Sequence, residues 1–164
     1  MKKLSLLFVL IISFSFSSVA QESPRMQAEG EVFGAKVVVD YGAPSVRGRV
    51  IWGGLESYGK VWRAGANENT TISFDSDVTI GKNSVPAGKY GLFIIPKKDG
   101  AWTVIFSKKN DAWGSNGYSK DNDLFRMSIM PKFEDKSIEQ LSFNVYKKGV
   151  QFAWAKARIW IPVK

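Results

Sequence analysis

Residues 85–106 read VPAGKYGLFIIPKKDGAWTVIF, and this stretch decides the fold. Pro86 and Gly88 build a tight corner, and Tyr90 enters the next strand two residues after the glycine. That spacing predicts a tyrosine corner of the kind found in Greek-key sandwiches, with the hydroxyl returning to backbone upstream. Tyr90 to Ile95 is then a continuous apolar run ended by Pro96, Lys97 to Gly100 turn, and Trp102 to Phe106 return. Runs that short and that apolar read as core strands joined in a hairpin.

Working outward, the same period recurs. Lys36 to Tyr41, Thr71 to Phe74, Val78 to Ile80, Leu124 to Met130 and Ser137 to Tyr146 all read as strands, and 150–162 alternates along its whole length. In that last segment Ala153, Ala155, Ala157, Ile159 and Ile161 are expected on one face, with Phe152, Trp154, Lys156, Arg158 and Trp160 on the other. No window carries a helical stripe. The expected fold is all-β: an antiparallel β-sandwich, Greek-key or jelly-roll-like, with a tyrosine corner and two long loops.

The N-terminus reads as a secretory signal. Lys2 and Lys3 precede an apolar run from Leu4 to Phe16, and Ser18-Val19-Ala20 offers the small residues of a cleavage site. The run is short for a membrane span of about 20 residues. The expected organisation is a signal peptide over 1–20, a flexible leader over 21–29 and one sandwich domain over 30–164, in a secreted or periplasmic protein with no transmembrane anchor after cleavage. No Cys follows to carry a lipid.

Composition removes several chemistries. The 164 residues contain neither Cys nor His, which excludes disulfides, thiolate nucleophiles, His-based triads and His-ligated zinc. Loss of Lys2 and Lys3 would lower the formal charge from +8 to +6. That excess suits an anionic partner such as a cell-surface polymer or lipid head groups, and equally suits solubility alone. No basic block is dense enough to argue for nucleic acid. No cofactor is implied. Asp121-Asn122-Asp123 with Asn110-Asp111 lacks the spacing of an EF-hand calcium loop, so no metal site is assigned.

Two segments resist the strand pattern. Residues 41–71 mix two Tyr, two Trp and three Arg among six Gly, and 107–123 sets Trp113 and Tyr118 among Gly, Asn and Ser. Loops that long in a compact domain are often functional, and the second has the composition of an adaptable binding loop. Arg49 and Arg63 offer planar forks to anionic groups, while Trp52, Tyr58 and Trp62 offer flat apolar faces. Gly65 is expected to supply a positive φ between Arg63 and Glu68, with Asn67 closing the turn.

The candidate ligand-binding residues are therefore Arg49, Trp52, Tyr58, Trp62, Arg63, Asn67, Glu68, Trp113 and Tyr118. Their expected ligand is a glycan or an acidic peptide held by a non-catalytic module of the cell envelope. Two alternatives stand beside it. Glu68 is a weak candidate catalytic group for a carboxylate-based hydrolase, which needs a second carboxylate about 5–9.5 Å away. Otherwise the tryptophans are core plugs and the arginines pair with Glu68, Asp123 or Asp40, in a structural or protein-interaction module.

Several patterns also carry a resemblance. These are Pro44-Ser45 to Trp52-Gly53, Tyr58-Gly59 through Trp62-Arg63-x-Gly65-Ala66-Asn67-Glu68-x-Thr70-Thr71, Pro86-Ala87-Gly88-x-Tyr90, Trp113-Gly114 and Asp123-x-x-Arg126. Together they resemble the domain-of-unknown-function family numbered twenty-nine eleven (DUF2911), over most of residues 30–162. The resemblance implies a secreted protein of a kind found largely in Bacteroidetes. It brings no established activity and no catalytic residue.

Overall fold

A computed structural model describes residues 22–164. The expected signal peptide lies outside the described residues. Ten strands follow: β1 (Arg25–Val32), β2 (Ala35–Gly42), β3 (Thr71–Phe74), β4 (Val78–Ile80), β5 (Asn83–Val85), β6 (Gly88–Ile95), β7 (Trp102–Ser107), β8 (Asp123–Ile129), β9 (Lys132–Tyr146) and β10 (Gly149–Pro162). They form a six-stranded antiparallel sheet in the order β1-β2-β3-β6-β7-β8, a long β9–β10 hairpin and a small β4–β5 hairpin. Two antiparallel layers enclose one core, which makes the fold an antiparallel β-sandwich. Within the large sheet the chain runs as a meander interrupted by β4 and β5, rather than in the Greek-key order the corner suggested.

The opening stretch behaves as its residues dictate. The Tyr90 hydroxyl donates to the Pro86 carbonyl at 2.8 Å, and the Ala87 N–H donates to Asp77 at 2.8 Å, so the corner is closed from both sides. Tyr90→Phe removes only the hydroxyl and is expected to cost about 1 kcal/mol in a urea melt. In the hairpin, Leu92 faces Phe106, Phe93 faces Ile105 and Ile94 faces Val104. Leu92, Ile94, Val104 and Phe106 enter the main core. Phe93 and Ile105 lie on the other face and are nonetheless buried. The second long loop covers that face, with the Tyr118 ring 5.1 Å from that of Phe93. A strand buried on both faces needs no alternation, which accounts for the unbroken apolar run.

Residues 25–29, expected to belong to a loose leader, are instead the first part of β1. They pair residue for residue with β2, from Arg25 opposite Gly42 to Val32 opposite Ala35. The alternation was hard to see because only one side of β1 is covered and Val32 alone in it is fully buried.

β10 also departs from its expected pattern. Ala155 sits at φ 47°, and the pairing with β9 shifts on both sides of it. Such a bulge inverts which parity faces inward. Val150, Phe152 and Trp154 fill the core before it, and Ala157, Ile159 and Ile161 fill it afterwards. Arg158 closes the irregular stretch, donating to the carbonyls of Ala155 (3.0 Å), Ala157 (2.9 Å) and Lys136 (2.6 Å).

The excursion between β2 and β3 is tied at both ends. Leu141 N–H donates to the Pro44 carbonyl at 2.9 Å, and Val46 N–H to that of Glu139 at 2.8 Å, so residues 44–46 run beside β9. Trp62 exchanges two 2.8 Å hydrogen bonds with Ile94, on the flank of β6 beyond the end of β3.

Candidate functional site

The aromatic residues of the excursion divide by burial. Trp62 is only 3% exposed, stacks on Trp154 at 5.6 Å and donates its indole N–H to the Gly65 carbonyl at 3.0 Å. Trp52 is the hub of the same cluster, 4.6 Å from Trp102 and 5.7 Å from both Trp62 and Trp154. Trp62 is sealed in the core and Trp52, part-buried, is committed to four ring contacts against it, so withdrawing either ring would forfeit about 1.5–3 kcal/mol. The expectation that they form a platform is corrected to a core role. Tyr58 is part-exposed, with its ring occupying the space a Cβ on Gly53 would fill. Arg49 is exposed but caps its own turn, donating to the carbonyls of Val46 at 3.0 Å and Ser45 at 2.6 Å.

Arg63 and Glu68 do not meet. The turn between them takes positive φ at Ala64 (53°) and Asn67 (61°), and not at Gly65. Gly65 is required for a different reason: a Cβ there would stand 2.6 Å from the Thr70 hydroxyl oxygen. Asn67 donates to the Ser23 carbonyl at 3.4 Å, tying the turn to the start of β1. Arg63 turns towards Gly114, and its buried Nε has no hydrogen-bond partner among the described residues.

The carboxyl that feels the charge of Arg63 is Glu56, which carries no signal in the sequence. Burial raises its pKa from 4.5 to about 7, against the lowering pull of Arg63 and Arg49. The folded chain therefore keeps a proton that the unfolded chain has lost between pH 4.5 and about 7. Stability falls as pH rises through that window and stays lower above it. The gap is worth about 3 kcal/mol at 1.36 kcal/mol per pKa unit, and the solvent that reaches the side chain cuts this to about 1–2 kcal/mol. Glu56→Gln is expected to be the more stable protein by that amount near pH 8. Its advantage should vanish near pH 5 in denaturant melts at the two pH values.

Glu68 lies elsewhere, in a cleft of about 240 Å³ lined by Arg25, Glu68, Asn69, Thr71, Lys89, Asn110, Asp111, Ala112 and Trp113. Four pieces of chain converge there. Arg25, from β1, donates to Asp40 at 2.5 Å and to the Asn69 carbonyl at 2.9 Å, and stands 3.9 Å from the Glu68 carboxylate. The end of the excursion pairs with the second loop through a Glu68–Trp113 bridge and a 3.1 Å bond from Asn69 N–H to the Ala112 carbonyl. Asn110 fastens that loop to β6, donating to the Lys89 carbonyl at 2.8 Å. Lys109 holds Asp111 at 2.9 Å and keeps its carboxyl below the usual range.

Two side chains in the cleft are unusual. Trp113 is 65% exposed and touches no other ring among the described residues. Asn69 is 2% exposed, and neither polar atom of its side-chain amide has a partner among the described residues. A buried polar group left unpaired costs about 1–3 kcal/mol.

Of the nine sequence candidates, only Glu68 and Trp113 line this cleft. Tyr118 is committed to structure, its hydroxyl bonded to the Asp123 carboxylate at 2.9 Å and to Arg126. The same bonds, with one from Arg126 Nε, occupy the Asp123 carboxylate. Arg25, Asn69, Thr71, Lys89 and Asn110 were not foreseen. The Asn67-Glu68-Asn69 run was their one signal in sequence.

The family model described as Protein of unknown function (DUF2911) matches residues 23–163, and the chain belongs to that family. No curated protein and no solved structure matches it.

Proposed function

We propose that this member of the family is a non-catalytic binding module, and that the cleft of Glu68, Asn69 and Trp113 takes a neutral glycan. The exposed Trp113 ring at the rim of a polar cleft carries the reading. A largely exposed ring with no aromatic partner among the described residues offers an apolar face for the C–H surface of a sugar, while Glu68 and Asn110 offer groups for its hydroxyls. Charge favours a neutral ligand over an acidic peptide. Arg25 and Lys89 are matched by Glu68 and Asp111, so the cleft has no net field to draw in an anion. The proposed setting is the secreted or periplasmic space, which rests on the reading of residues 1–20.

A panel of neutral and acidic polysaccharides, screened by intrinsic Trp fluorescence and followed by calorimetry, tests the proposal. A neutral glycan bound by the native protein and lost on Trp113→Ala supports it. Preference for acidic polymers or peptides would overturn the charge argument. Turnover of a bound glycan that disappears in Glu68→Gln would replace the binding module by a hydrolase.

A further inference from the structure

The β1–β2 turn holds a residue that folding does not favour. Phe33 and Gly34 both take positive φ, at 49° and 91°. Two-residue turns of that kind strongly prefer Asn, Asp or Gly first, because a Cβ is strained in the left-handed region. Phe33 is also 66% exposed, so it gains little by burial in return. A strained, exposed aromatic at a hairpin tip points to a partner outside the fold.

Its surroundings indicate which partner. A groove of about 460 Å³ joins Phe33 and Gly34 to Lys147 and Lys148 in the β9–β10 turn, with Glu31 on its wall. Neither lysine is in an ion pair among the described residues. Beside that turn, Tyr146 and Trp160 are 49% and 40% exposed, with ring centres 5.8 Å apart. The Trp160 ring closes over Gly149, 3.0 Å from where a Cβ would stand. One end of the sandwich thus presents an apolar point, two unpaired cations and an amphipathic aromatic pair. Aromatic side chains of this type favour the bilayer interface, and lysines beside them extend their charge to the headgroups.

We propose that the paired tips of the β1–β2 and β9–β10 hairpins dock on a membrane containing anionic phospholipid, with Phe33 entering the headgroup layer and Lys147 and Lys148 meeting lipid phosphates. Among the described residues no helix is long and apolar enough to cross a membrane. The cleft stays free in this pose. β1 runs from Arg25 at the cleft to Val32 at the tip, and seven residue steps at about 3.3 Å each separate the two by roughly 23 Å. The docking surface stands on its own observations and does not depend on a glycan in the cleft.

Co-sedimentation with vesicles of phosphatidylcholine, with and without phosphatidylglycerol, tests it. The native protein should sediment with the anionic vesicles, less so as salt rises, and remain in solution with the neutral ones. Phe33→Asn places a residue suited to the turn, so its melting temperature should equal or exceed the native value while partition falls roughly tenfold. The double variant Lys147→Gln, Lys148→Gln should lose roughly thirtyfold. Failure of the native protein to sediment with anionic vesicles would overturn the proposal, as would equal binding to neutral ones. Binding lost in the lysine variant but intact in Phe33→Asn would mean simple attraction to an anionic surface and would also overturn it.

Discussion

Trp113→Ala is expected to weaken glycan binding by roughly thirtyfold or more and to leave the melting temperature within about a degree of the native value. The first half follows from where binding energy concentrates. Central aromatic residues commonly contribute about 2 kcal/mol or more to a recognition surface, which is at least a thirtyfold change in affinity. The second half follows from packing. Trp113 is 65% exposed and has no ring contact among the described residues, so truncation opens no cavity. Its backbone bridge to Glu68 does not depend on the indole. Calorimetric titration of a glycan bound by the native protein, beside thermal melts of both proteins, separates the two effects. A Trp113→Ala protein that binds as tightly as the native one would remove the ring from the site. One that melts much lower would show that the ring is packed in solution.

The fold could be read in the sequence wherever one physical rule acted alone. Tyr90 is an example: the spacing from Pro86 and Gly88 left its hydroxyl one backbone acceptor, and the bond forms. The hairpin of β6 and β7 is another, because Pro96 and Gly100 leave the chain nowhere else to turn. Reading failed where long-range packing overrode local pattern. Nothing in 150–162 marks Ala155 as the residue that takes a positive φ, since the bulge is imposed by the pairing with β9. β1 lacked an inward stripe because its contribution is backbone pairing more than burial.

The site was legible only in part for a related reason. Trp52 and Trp62 have the chemistry of a sugar platform, and composition cannot distinguish a platform from a core plug. The difference is whether β10 brings Trp154 against them. Glu68 and Trp113 are 45 positions apart, and only the pairing of two loops makes them neighbours. Arg25 enters the same cleft because β1 begins beside Gly42, which no local signal predicts.

Gly42 is where the seat of the excursion can be broken by one methyl group. Its carbonyl accepts from Ala66 N–H at 3.2 Å, and a Cβ on it would lie 2.1 Å from the Ala66 carbonyl oxygen and 2.8 Å from its carbon. Both are backbone atoms, so no side-chain rotation relieves the overlap. The residues before Ala66 are held in turn, with Thr70 donating to the Ala64 carbonyl and Trp62 to that of Gly65, and Arg25 bonds to the carbonyls of Glu68 and Asn69 just beyond. Relief requires the excursion to lift from β2, and Gly42→Ala is expected to cost about 3 kcal/mol or more. Gly48→Ala is the control. Gly48 lies in the same excursion at φ 68°, but a Cβ on it would have nothing within 4 Å. Backbone strain alone should cost about 1 kcal/mol there. Urea melts of the two variants decide between close approach and glycine flexibility as the reason this segment is rich in glycine. Equal losses would refute the packing argument. A large loss at Gly42 alone, with loss of glycan binding in the protein that remains folded, would show that the cleft depends on how closely two backbones approach.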